Sequence, residues 1–317
     1  MMPLVETTAG AIDASVLGRT LCHEHLLTAS ESVRAQYPHL HDAEREFARA
    51  VKQVRAAMSH GVKTIVDPAC MDLGRDARFA QRVAQETGIQ LVMCTGVYGQ
   101  HYTFLPQHFQ TRDEDYLADA FVHDIETGIQ ATAIKAAFIK TAADEPGITP
   151  DVEKIHRAAA RASLRTGRPI MAHSRPASGT GLEQMRIFTE EGVAPEKVMI
   201  AHTGDTDDLD HIEELLALGP FIGMDRYGTD IFLPDEKRNA TVAELCRRGY
   251  SDRMVLSQDA CATIDWFPEE MISQLAPNWH FAHIFETILP QLSDLGVSDD
   301  QIATMLDTTP RRWLAGA

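Results

Sequence analysis

Cysteine is scarce and scattered in this chain. Cys22, Cys70, Cys94, Cys246 and Cys261 are odd in number and form no CxxC pair. That pattern argues against a disulfide framework and reads as free buried thiols in a reducing cytoplasm. No stretch approaches the ~20 apolar residues of a membrane span. The opening MMPLVETTAGAID has neither a basic n-region nor an apolar h-region, so no signal peptide is expected. No GxGxxG follows an early strand signal, which leaves a doubly wound open sheet unsupported. Basic residues are in deficit: 29 against 46 acidic ones give −17, which disfavours nucleic acid or an anionic membrane as partner. Repeats, low-complexity tracts and linkers are also missing.

What is present is an alternation of short β-rich runs and longer helical patterns, in 317 residues of which 44% are apolar. Eight runs stand out, at 20–23, 64–67, 91–95, 136–140, 169–173, 198–202, 221–225 and 254–259. Most are apolar on both faces, as strands covered on both sides should be. Helical patterns lie at 42–60, with Phe47, Val51, Val54 and Met58 on one face, at 151–166 after Pro150, and at 207–218 before Gly219. Eight strands with helical crossovers predict a single α/β domain, a parallel (β/α)8 TIM barrel over 1–317. Residues 1–17 form an N-terminal cap, and 268–317 a C-terminal loop with helices.

Polar residues sit where the apolar runs stop. The first run ends in His23-Glu24-His25, the fourth in Lys140, the fifth in His173, the sixth in His202 and the eighth in Asp259. Residues at the C-terminal ends of barrel strands build the active site, so these are predicted to converge. Side chains two apart on a strand share a side, so His23 and His25 can grip one metal, with Asp259 from the neighbouring strand. His173 and His202, on adjacent strands, can hold a second. Imidazole with carboxylate suits zinc, iron, cobalt or manganese, and the lack of cysteine argues against a closed structural zinc site. An ammonium beside two dications is repelled. A buried lysine that loses its proton can instead add carbon dioxide, and the carbamate of Lys140 could bridge both metals. His39, His41, His60 and His123 read as solvated surface, Asp67 before Pro68 as a turn residue, and Cys261 as packing.

These residues also carry a resemblance. The segments ETTAGAID, GRTLCHEH, GVKTIVDP with GRD, IKAAFIKTAADEPGITP, GRPIMAHS, EEGVAPEKVMIAHTGDTDDLDHIEELLALG, FIGMDRYGTDIFLPDEKR, VLSQDACATIDW and MLDTTPRRWL together resemble the phosphotriesterase family of the amidohydrolase superfamily. The likeness is closest to the phosphotriesterase-like lactonases. It implies two divalent metals, zinc first, with His23, His25 and Asp259 on the more buried ion and His173 and His202 on the more exposed one. It implies a carboxylated Lys140 as bridge, a hydroxide nucleophile, and Asp205 as a proton relay with Asp259. Tyr98, Arg226 and Trp266 match the lactonases' substrate contacts, and a homodimer is implied. Departures lie at Gly99-Gln100-His101-Tyr102-Thr103, at Pro68-Ala69-Cys70-Met71-Asp72, and at Ala260 and Ala262.

The expected activity is therefore metal-dependent lactone opening, N-acyl homoserine lactones and quorum quenching included, with weak phosphotriesterase activity. For Arg226, an ion pair with Asp225 or Asp230 competes with a catalytic role. A dedicated phosphotriesterase, an amide or phosphodiester hydrolase, and a non-catalytic binding member of the fold are the alternatives.

Overall fold

The computed structural model describes residues 3–100 and 104–315. Eight strands form one parallel sheet: β1 Thr20–Leu21, β2 Thr64–Asp67, β3 Gln90–Gly96, β4 Phe138–Ala142, β5 Ile170–His173, β6 Val198–Ala201, β7 Phe221–Met224 and β8 Met254–Leu256. Each pairs with the next in chain order, from β1 to β8. The barrel closes where Glu24–His25 pairs in parallel with Ala260–Cys261, Glu24 opposite Ala260. Glu24 reinforces this seam with its side chain. Its carboxylate accepts from the backbone N–H of Gln258 at 2.8 Å and of Ala260 at 2.9 Å, and from Ser257 Oγ at 2.9 Å. The middle residue of the HxH run is thus a clasp between the first and last strands.

The strands are apolar on both faces, as expected. Ile65, Leu91, Ile139, Ile170, Ile200, Ile222 and Leu256 pack outward under the helices. Val66, Val92, Phe138, Met171, Met199, Phe221 and Val255 fill the barrel, together with Trp313. A barrel interior is a packed core, so chemistry is left to its mouth.

The crossover helices are α1 Ala43–Ser59, α2 Ala77–Thr87, α3 Glu114–Glu126, α4 Pro150–Thr166, α5 Thr180–Glu191, α6 Leu209–Ala217 and α7 Asp235–Arg247. Asp42 caps α1 by accepting from the Arg45 N–H at 3.0 Å. Pro150 opens α4, and Gly167 closes it at φ 73°. Helix α6 starts later than the sequence pattern suggests, because Asp208 is its N-cap and takes the N–H groups of Asp210 and His211. A hairpin of Leu4–Thr7 and Gly10–Asp13 precedes the barrel, and helical segments at Glu269–Leu275, 284–294 and 299–315 follow it. Among the described residues, no helix is long and apolar enough to cross a membrane.

Candidate metal centre

The strand ends differ from the sequence reading in ways that matter for chemistry. Lys140 lies in the middle of β4 rather than at its end, two residues deeper, and is 1% exposed. β6 ends at Ala201 and β8 at Leu256, so His202 and Asp259 fall just outside. Both have left-handed backbones, His202 at φ 65° and Asp259 at φ 51°. Strict alternation after the inward Ala201 would turn His202 away from the barrel; the left-handed residue brings it back. Non-glycine residues in this region cost energy and persist where contacts hold them. Here the His202 N–H donates to Asp225 Oδ1 at 2.7 Å, and the Asp259 N–H to the His23 carbonyl at 2.9 Å.

The predicted residues converge. His23 Nε2 and His25 Nε2 lie 3.1 and 3.2 Å from Asp259 Oδ1. Lys140 Nζ lies 3.3 Å from His23 Nε2, and the His173 and His202 rings are 4.4 Å apart. Asp225 organises the group, a role not read from the sequence. Fully buried, it takes His23 Nδ1 on Oδ2 at 2.7 Å and His202 Nδ1 on Oδ1 at 3.1 Å. Burial works against its ionisation, yet the two imidazoles hold its carboxyl well below the usual range. Gly223 makes room for it, since a Cβ there would sit 2.5 Å from Asp225 Oδ2. The inward alternation Phe221, Gly223, Asp225 is the sequence signal that could have found it.

A charged carboxylate only accepts, so a neutral His23 carries its proton on Nδ1 and a lone pair on Nε2. That lone pair meets the Asp259 oxygen at 3.1 Å, acceptor against acceptor. His202 Nε2 and His25 Nδ1 are buried with no hydrogen-bond partner. Such a set is poorly satisfied without a cation and fits one well. Among the described residues, two groups have ligand atoms close enough to hold an ion: His23, His25 and Asp259, and His23, His202 and Asp225. The second is better read as hydrogen bonds, because both Asp225 oxygens are already taken by Nδ1 donors. Lys140 suits the cluster as an amine, since burial pushes its pKa down.

Arg226 is 13% exposed in its side chain and corrects two expectations. It pairs with neither Asp225 nor Asp230. Its Nε donates to Asp259 Oδ2 at 3.0 Å and its Nη1 to Asp205 Oδ2 at 2.9 Å. The buried Arg238 holds the other Asp205 oxygen at 2.9 Å. A guanidinium does not release protons, so a direct relay from Asp259 to Asp205 is blocked in this arrangement. Asp205 instead braces Arg226. The Phe232 ring covers Arg226 at 4.4 Å.

A cavity of about 380 Å³ opens above these groups. Its floor holds His23, His25, Lys140, His173, Asp259 and Arg226, and its walls include Tyr98, Trp266, Phe267, Met271 and Trp279. Trp266 is therefore a wall. Tyr98 is placed by Asp72, which accepts from its N–H and that of Gly99, both at 2.7 Å. Burial pushes the Tyr98 phenol up, so it keeps its proton. Cys261 faces the cavity with Sγ 3.2 Å from Thr28 Oγ1, more than packing alone. Asp67 does serve a turn, taking the N–H groups of Ala69 and Leu26. His39 and His123 are exposed, whereas His41 and His60 are half-buried. Within the departure at 99–103, Gln100 is buried, and His101, Tyr102 and Thr103 lie outside the described residues.

Burial also sets the response to acid. It holds His156 and His173 down to about 4, against an ordinary 6.5. A histidine kept neutral in the fold contributes stability above pH 6.5 and loses it as pH falls towards 4. Each contributes on the order of 3 kcal/mol. Melting curves of metal-free protein should fall steeply over that interval; a flat profile contradicts the burial argument.

Comparison with known proteins agrees with the geometry. A sequence model described as the phosphotriesterase family matches residues 3–314. An aryldialkylphosphatase of Saccharolobus solfataricus is 50% identical over 307 residues, 96% of this chain and 97% of that protein. A phosphotriesterase homology protein of Mycobacterium tuberculosis is 42% identical, over 98% of this chain and 97% of its own. The solved structure of the phosphotriesterase from Mycobacterium tuberculosis superposes with a TM-score of 0.94 at 42% identity, covering 98% of both chains. With the family matched from end to end and the barrel shared, this chain belongs to the phosphotriesterase family of hydrolases.

Proposed function

We propose that the chain is a binuclear metal-dependent lactonase, acting on N-acyl homoserine lactones among others, with phosphotriester hydrolysis as a weak side activity. The observation that carries the reading is the inward-facing set of acceptors: His23 Nε2 against Asp259 Oδ1, with Lys140 Nζ 3.3 Å away as its donor, and His202 Nε2 with no partner. His23, His25 and Asp259 would hold the more buried ion and His173 and His202 the other. Lys140 would join them as a carbamate, formed when its neutral amine adds carbon dioxide and releases one proton. Zinc suits the donors best, with iron, cobalt or manganese also compatible. Two such ions, when bound, lower the pKa of a shared water and polarise the scissile carbonyl.

The remaining work falls to the chain's own groups. Asp259 faces Arg226 Nε at 3.0 Å and His25 Nε2 at 3.2 Å, donors that favour its carboxylate form, able to take a proton from the attacking water. Tyr98, protonated, donates to the substrate's ring oxygen. Arg226 presents a fixed positive charge at the cavity floor, and Trp266 covers the ring. The apolar walls suit an acyl chain. Within this reading the partner is a small molecule, not nucleic acid or membrane, and the chain works as a cytoplasmic homodimer.

Metal analysis tests the reading. Purified protein should carry two divalent ions per chain, and a chelator should abolish hydrolysis until metal returns. Metal-free protein with full activity would end it, and protein that never takes up metal would favour a binding role. Asp205→Asn should keep both metals but lower kcat on lactones about ten- to a hundredfold, because one charged brace of Arg226 is lost. Full kcat in that variant removes Asp205 from the reaction. One observation favours a second reading, a dedicated phosphotriesterase: the relative at 50% identity bears the name aryldialkylphosphatase.

A further inference from the structure

The histidines at the barrel mouth are fixed through different nitrogens. Asp225 takes Nδ1 of both His23 and His202, so each ring keeps Nε2 for the centre. His173 is held the other way round. Its Nε2 lies 3.0 Å from Asp144 Oδ2, with the Tyr98 hydroxyl at 3.4 Å. The carboxylate accepts, so the proton sits on Nε2 and the lone pair of His173 sits on Nδ1.

Asp144 is itself firmly placed. It follows β4 by two residues and is 7% exposed. β4 runs alongside β5 in a register that sets Ala142 opposite His173, and the Ala143 N–H donates to the His173 carbonyl at 2.9 Å. Asp144 Oδ1 accepts from the Glu145 N–H at 2.8 Å and from Arg175 Nη1 at 3.2 Å. One oxygen is thus occupied by the loop and by Arg175, and the other is given to His173.

The geometry points to Asp144 as a positioning residue for His173: it fixes the Nε2–H tautomer and leaves Nδ1 as the metal-binding nitrogen. His23 and His202 present the opposite one. This rests on the reading above that His173 holds a metal. The strand-four loop then orients a ligand on strand five, as Asp225 orients ligands that follow the first and sixth strands. Outer partners of this kind set metal affinity as well as ring orientation.

Asparagine at 144 is a sharp probe because it keeps the volume. Its one acceptor oxygen cannot serve both the Glu145–Arg175 side and His173. If the oxygen stays with the former, the amide NH2 faces His173 and demands the other tautomer. The test uses the full chain, stripped of metal and titrated with cobalt(II), read by bound stoichiometry and by the cobalt absorption bands. Wild type should bind two ions. Asp144→Asn and Asp144→Ala should keep one site and weaken the other about ten- to a hundredfold, with altered bands. Arg175→Gln, which removes only the outer support of the loop, should bind both ions as wild type does. Melting of the metal-free variants checks that each is folded, and the isosteric asparagine variant carries the test should alanine fail to fold. Two ions at wild-type affinity with unchanged bands in Asp144→Asn overturn the assignment while leaving the metal reading intact. Equal losses in Arg175→Gln overturn it too, since the loop rather than the carboxylate would then be responsible. Wild type that binds fewer than two ions overturns the metal reading, and this inference with it.

Discussion

The Lys140→Ala protein is expected to hold fewer than two metal ions per chain and to keep about a thousandth of the activity, a loss of some 4 kcal/mol of transition-state binding. The reasoning begins with burial. Lys140 is fully enclosed in the barrel, with Nζ 3.3 Å from His23 Nε2 and 3.5 Å from Met171 Sδ. Burial pushes the lysine towards its neutral amine and outweighs the opposing pull of the Asp259 and Asp225 carboxylates. A neutral amine there has a chemical use, as the acceptor of carbon dioxide. Alanine removes the bridging anion and leaves a space open to a small carboxylate. Formate or acetate added with metal should therefore restore part of both metal content and rate. Unchanged metal content in Lys140→Ala rules the bridge out. Lost metal without any rescue points to a different, purely structural, role for the side chain.

Asp225→Ala should be nearly as damaging although the carboxylate itself ligates no ion in this account. One carboxylate holds the outward nitrogens of His23 and His202, which the proposed function assigns to two different metal sites. An outer partner is worth about ten- to a hundredfold in metal affinity, so losing both links lowers affinity at the two sites together by up to about 10⁴ in the product. Free rotation of the His202 ring and loss of the bond from its backbone N–H add to the effect, since that bond helps hold the left-handed residue. Competition with a chelator of known affinity measures this directly. A variant that binds both ions as wild type does would show that Asp225 is a core hydrogen-bond acceptor and no more.

Much of this was legible in the sequence because barrels write their geometry plainly. Runs apolar on both faces marked the strands, and polar residues at their ends marked the mouth. His173 and Lys140 obey simple alternation with Met171 and Phe138, and so face inward. Asp225 obeyed it too, but its part depends on two imidazoles from distant strands, and adjacency in sequence suggested an ion pair with Arg226 instead. His202 and Asp259 were identified as residues yet not as left-handed ones, since nothing in their type announces a positive φ. Glu24 was hidden because its role exists only across the closing seam, where its side chain meets the N–H groups of Gln258 and Ala260. Asp144 and Arg238 act from a loop and a helix, and one chain's pattern does not say which distant carboxylate or guanidinium a loop will meet. The bonds of Arg226 to both Asp205 and Asp259 were hidden for the same reason.

Substrate preference is the central claim, and the cavity gives the grounds for it. A lactone needs a donor near its ring oxygen, a wall over the ring and a groove for its chain. Tyr98, Arg226, Trp266, Phe267, Met271 and Trp279 all line the cavity, and in the proposed reading they supply the donor, the wall and the groove. A triester places three substituents around phosphorus and gains little from a charged guanidinium beside the metals. The decisive measurement is kcat/KM for γ- and δ-lactones, N-acyl homoserine lactones and aryl dialkyl phosphates on one preparation of metal-replete enzyme. The expected result is a best lactone that exceeds the best triester, with about 1.4 kcal/mol of transition-state binding per decade of advantage. A triester that outruns every lactone by more than about tenfold contradicts the account and makes the chain a phosphotriesterase first.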